Sequence, residues 1–136
     1  MKLASLQPGE GLVLGQHLLA STPQTVRWGW LPNANSSACL TVASGDTVTI
    51  DTVSHEGILP DQDRNAVGFL ENYRVTATDV LHTAKEIASS EIPWGPERGR
   101  HVVTGPIAVT GAAPGDVLRI DIVDLLPRAC TVSAVS

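Results

Sequence analysis

Hydrophobic and polar positions alternate most regularly over residues 117–123, where Leu118, Ile120 and Ile122 fall on one side and Arg119 and Asp121 on the other. A period of two predicts a half-buried antiparallel strand. The same stretch echoes an earlier one. Gly45-Asp46-Thr-Val-Thr-Ile-Asp-Thr-Val53 and Gly115-Asp116-Val-Leu-Arg-Ile-Asp-Ile-Val123 share Gly, Asp, Ile, Asp and Val in register. Each copy follows a short β-rich run, 39–43 in the first and 107–110 in the second. The Gly-Asp step supplies turn chemistry, because Gly accepts positive φ and Asp bonds the neighbouring backbone. Each echo therefore predicts a strand, a tight turn and a second strand, and the two units together predict the halves of a β-sandwich.

Between the echoes the texture changes. Residues 54–68 are polar and carry His55, Glu56, Asp61, Asp63 and Arg64. Over 78–90 the period becomes helical: Thr78 or Asp79 is placed to cap, and Val80, Ala84, Ile87 and Ala88 share one face. Residues 92–100, Ile-Pro-Trp-Gly-Pro-Glu-Arg-Gly-Arg, read as a Pro/Gly-rich loop. Arg27-Trp28-Gly29-Trp30 reads as a strand running into a loop, with Trp28 and Trp30 on one face. No linker divides the chain. The expected fold is all-β, a β-sandwich with one short helix and long inserted loops, as a single domain over 1–136.

Composition narrows the function classes. A hydrophobic fraction of 43% and a charged fraction of 17% fit a globular domain, and 136 residues are enough for one core. Aromatics are only 4%, so Val, Ile, Leu and Ala must build that core. The net charge is −5 and the nine Lys and Arg are scattered, which excludes the concentrated positive field that nucleic acid needs. No apolar run is long enough to span a bilayer. The first ten residues lack the apolar core of a signal peptide, so a cytoplasmic protein is expected. Cys39 and Cys130 have no metal-type spacing and read as reduced thiols.

Two clusters can carry chemistry. Ser54-His55-Glu56-Gly57 follows the first echo directly, where a loop on a rigid strand end enters a cleft. His moves a proton near neutral pH or ligates a metal, and an adjacent carboxylate orients it. The plain alternative is a solvated loop histidine. His101 stands between a Gly-rich loop and Val-Val-Thr-Gly-Pro, a backbone held in a set shape, and that fixity is what a ligand histidine requires. His82 reads as a surface residue of the helix, and His17, with no acidic neighbour in sequence, as structural. Asp46 and Asp116 read as turn residues. Asp61 and Asp63 read as a solvated loop without EF-hand spacing. The tryptophans Trp28, Trp30 and Trp94 either wall a small pocket or pack across the sandwich end, and packing is the simpler role.

The strings Trp28-Gly-Trp, Thr41-Val-Ala-Ser-Gly-Asp-Thr-Val48, Ser54-His-Glu-Gly57 and above all His101-Val-Val-Thr-Gly-Pro-Ile-Ala-Val-Thr-Gly-Ala-Ala-Pro-Gly-Asp-Val-Leu-Arg-Ile120 resemble the N-terminal region of the acetamidase/formamidase family. The likeness runs from about Val26 to Arg128. It implies a partial acetamidase/formamidase-like fold that hydrolyses a short aliphatic amide to ammonia and a carboxylate, as a homo-oligomer with a metal-assisted site. By the matching motifs His101 and His55 are the metal ligands, with a divalent ion such as zinc, and Glu56 and His55 the catalytic pair. Family members continue well past the second echo, whereas residues 129–136 depart from their pattern. The resemblance thus implies that this chain corresponds to the N-terminal part of a longer unit and offers only one or two of the three protein ligands of a catalytic zinc.

Two other classes compete. A small β-sandwich metal-binding module of the cupredoxin kind fits the Val-Ala-Ser-Gly-Asp-Thr-Val run, but blue copper takes two His, a Cys and an axial Met. Here the single Met is Met1, and no His follows Cys130. A non-catalytic interaction domain would need no metal.

Overall fold

A computed structural model describes residues 5–95 and 97–128. Their order is β1 (His17–Leu19), β2 (Val26–Trp28), β3 (Leu40–Val42), β4 (Val48–Ile50), a 3-10 turn (Pro60–Gln62), α1 (Ala66–Glu71), α2 (His82–Ser89), β5 (Val102–Thr104) and β6 (Ile107–Val109). The elements are mostly strands, with two helices where the sequence predicts one. None of the described helices is long and apolar enough to cross a membrane.

The strands form three separate pairs: β1 with β4 and β3 with β6, both parallel, and β2 with β5, antiparallel. The Gly-Asp turns are present, yet they do not close hairpins. In the first, the Asp46 amide donates to the Ala43 carbonyl at 3.2 Å while the Ala43 amide donates to the Asp46 carboxylate at 2.8 Å. A hairpin would use the Ala43 amide for the ladder, and here the side chain has taken it. β3 and β4 consequently leave the turn toward different partners, β6 and β1. The second echo repeats the turn bond for bond, with Asp116 to Ala113 at 3.1 Å and Ala113 to the Asp116 carboxylate at 2.8 Å.

Beyond that second turn the expectation of a half-buried strand is overturned. Residues 117–123 form no strand among the described residues and every one of them is exposed. Leu118, Ile120 and Ile122 have no described strand beside them to cover their apolar side.

The core lies between the β2–β5 pair and the helical segment. Val26 and Trp28 point inward from β2 and meet Ile58, Leu59, Ala66, Val75, Val80, Ala84, Ile87 and Ala88. Val80, Ala84, Ile87 and Ala88 are all buried, as the helical period predicts. The start of the helix differs: Leu81 is its N-cap, without a side-chain bond, and Thr78 and Asp79 lie in the preceding turn. Six-residue α1 falls partly in the stretch that polarity marks as loop; it starts where the Asn65 side chain accepts from the Gly68 amide.

Trp28 is fully buried, with Trp94 tilted against it at 6.0 Å between ring centroids and the Arg64 guanidinium 4.9 Å over its face. Trp30 lies past the strand end and is exposed, with Arg27 stacked 5.8 Å from its centre. The three tryptophans do not wall one pocket. Cys39 is free, its thiol 3.2 Å from the Gly105 carbonyl; Cys130 lies outside the described residues.

Candidate functional site

The strand pairing brings the two sequence clusters to one place. His55 lies four residues past Asp51, the residue that follows β4, and His101 immediately precedes β5. A hydroxyl clamp ties these ends together. Thr104 on β5 donates to the Asp51 carbonyl at 3.0 Å, Ser21 donates to the same oxygen at 2.7 Å, and the two hydroxyls lie 2.6 Å apart. Ser21 and Asp51 are buried, so the clamp works where water does not compete. The His101 carbonyl accepts from the Gly29 amide at 2.9 Å, extending the β2–β5 ladder by one step. Gly29 has φ +78°, and a Cβ there would stand 2.5 Å from the Gly99 carbonyl oxygen. Only glycine fits that close crossing.

The result is a pair of imidazoles. The rings of His55 and His101 stand edge to face, 83° between planes and 5.4 Å between centroids. His55 and Glu56 are partly buried and His101 is exposed, so the pair opens to solvent on the His101 side. Nε2 of His55 lies 3.5 Å from Oε1 of Glu56. The second carboxylate oxygen of Glu56 accepts from Nε2 of Gln62 at 3.0 Å, and the Gln62 carbonyl oxygen accepts from the Gly57 amide at 2.6 Å. Gln62 thereby holds both the carboxylate and the turn that carries it. Sequence reasoning passed over Gln62, because its role depends on the 3-10 turn folding back over residues 56 and 57. Gly57 has φ +83° and its α-carbon faces Ala66 at the start of α1; a Cβ would come within 2.8 Å of the Ala66 Cα. The glycine after Glu56 is thus required by backbone shape and helix approach.

Across the opening, Arg100 and Asp61 pair at 3.4 Å, both largely exposed. The pair links the His101 loop to the segment after Glu56, although an exposed ion pair contributes little stability. Asp63 lies in a left-handed conformation at the end of the 3-10 turn and takes no part in the pair. His82 is exposed on α2, as expected. His17 has a carboxylate partner that its sequence neighbours do not offer: its Nε2 lies 2.9 Å from the Asp46 carboxylate, distant in sequence and supplied by the β1–β4 pairing.

The arrangement offers proton transfer at His55 with Glu56 to orient it, and a second imidazole beside it. For a metal the fit is incomplete. Two imidazoles face each other, but among the described residues no group of three or more His, Cys, Asp or Glu side chains is arranged to hold an ion. A catalytic zinc takes three protein ligands. The described residues therefore assign no catalytic step to a metal.

Compared with protein-family models, with curated proteins and with solved structures, the chain matches none.

Proposed function

We propose that the chain carries an amide-hydrolase site of the acetamidase/formamidase type, set on a partial β-sandwich frame and acting on short aliphatic amides such as formamide and acetamide. The observation that supports this most is the meeting of His55 and His101 at 5.4 Å, since the two motifs behind the family resemblance are far apart in sequence. In this reading His55 accepts a proton from the attacking water and returns it to the departing nitrogen, while Glu56 sets the ring's orientation. Gln62 keeps the carboxylate in place. His101 stands on the open side of the site, where it meets the substrate carbonyl. A divalent ion such as zinc, which the resemblance implies on His101 and His55, would need a ligand beyond these two and is given no part in these steps.

Ammonia release from formamide and acetamide tests the reading. The native chain is expected to release ammonia above the buffer rate, and His55→Ala to lose about 10²-fold or more of that activity. A native chain that releases none, with and without added zinc, would remove the amidase assignment.

A further inference from the structure

The stretch that the echo predicts as a strand is the most exposed apolar segment among the described residues. Residues 116–127 run without helix, turn or bend, and all are exposed. Val117 is 95% accessible and Leu118, Ile120, Ile122 and Val123 between 66% and 75%. Among the described residues, 117–123 exchange no backbone hydrogen bond with any other segment. Both ends are nevertheless tied down. The Thr110 amide donates to Val42 at 2.8 Å, and the Leu6 amide donates to Arg128 at 2.7 Å. A segment anchored at both ends loses less freedom on pairing than a loose tail would.

The sequence of this segment is complementary to itself. Two copies paired antiparallel about a two-fold axis at Ile120 set Ile120 opposite Ile120, Leu118 opposite Ile122, and Val117 opposite Val123. Arg119 then faces Asp121 of the other copy, twice. Arg119 and Asp121 already share a side of the segment, their charged atoms 2.9 Å apart within one chain. Centring the axis one residue earlier would set Arg119 against Arg119, and one residue later Asp121 against Asp121. Like charges directly opposite destabilise a strand pair. Just outside the seven residues, Asp116 and Asp124 would face each other, two acids that end the pairing.

We infer that residues 117–123 are a homodimer interface, in which a second copy of this chain adds its own 117–123 antiparallel with Ile120 on the two-fold axis. An exposed apolar segment whose backbone groups are unpaired among the described residues is a template for such pairing, and an isologous contact of this kind closes after two subunits. The family resemblance already implies a homo-oligomer; the inference adds the segment and the register of the contact, and its test uses no substrate.

Sedimentation across a concentration series decides it. The native chain is expected to pass from monomer to dimer as concentration rises. Arg119→Asp and Asp121→Arg each place like charges across the interface twice, and each is expected to weaken dimerisation about tenfold or more. Mixed in equal amounts, the two variants regain two opposite-charge pairs, one on each side of the axis, and are expected to dimerise with each other. Recovery on mixing also shows that both variants are folded. A native chain that stays monomeric at high micromolar concentration overturns the inference. So does a pair of single variants that dimerise like the native chain, or a mixture that fails to associate while both variants keep the native circular dichroism.

Discussion

The guanidinium of Arg128 reaches back across the molecule to the buried carboxylate of Asp51, its Nε 2.8 Å from Oδ1, so that the last described residue is pinned to the end of β4. The same arginine donates from Nη1 to the carbonyls of Gln7 and Glu10, each at 3.0 Å. One side chain thus joins the first turn of the described chain, the strand end that leads to His55, and the far end of the exposed segment. The other Asp51 oxygen has no hydrogen-bond partner among the described residues, which makes the arginine the main compensation there for a buried charge. Arg128→Ala is expected to destabilise the fold by about 3–5 kcal/mol, the usual cost of leaving one member of a buried ion pair alone. Urea unfolding measures it, and Arg128→Ala combined with Asp51→Asn should recover part of the loss.

Trp28 anchors the core from β2, with Arg64 on its face and Trp94 beside it. Trp28→Ala should cost about 3–5 kcal/mol by loss of burial and contacts. The buried indole N–H of Trp28 has no hydrogen-bond partner among the described residues, so Trp28→Phe removes an unsatisfied donor and should cost clearly less than Trp28→Ala. Denaturant midpoints of the two variants check the order.

Gly57→Ala forces a side chain onto a residue at φ +83° and into the start of α1. A penalty of at least about 1–2 kcal/mol is expected from the backbone conformation alone. The site should suffer beyond that, because the turn carrying Glu56 must shift. Ammonia release under conditions where the variant remains folded separates the two effects.

Asp46 provides a pH signature. The Ala43 amide first, and His17 second, hold its carboxyl below its ordinary value of 3.8. A carboxyl depressed in the folded state adds stability that is present above its unfolded pKa and lost as pH falls through the folded one. The native chain should lose stability below about pH 4 more steeply than Asp46→Asn does, as read from thermal midpoints at stepped pH.

Much of the local structure is legible in the sequence, and the gaps have physical causes. The Asp turns at 43–46 and 113–116 follow from Gly-Asp chemistry, and the buried face of α2 follows from a clear helical period. Strand partners do not follow. Alternation at Leu118, Ile120 and Ile122 records which side of a strand seeks cover, and nothing in it says whether the cover comes from the same chain. The partners of His17 and Arg128 are missed for the same reason, since Asp46 and Asp51 become neighbours only through the β1–β4 pairing and the returning chain. His55 and His101 stand out in the sequence as separate candidates because each lies near a strand end in a rigid local sequence. Their meeting depends on the clamp among Ser21, Asp51 and Thr104, and only Asp51 of these lies in the echo.

A double-mutant cycle on formamide hydrolysis bears most directly on the claim that His55 and His101 act as one unit. If they do, His55→Ala combined with His101→Ala loses no more activity than the worse single variant, because either change already disables the site. Losses that multiply, each histidine acting without regard to the other, would contradict it.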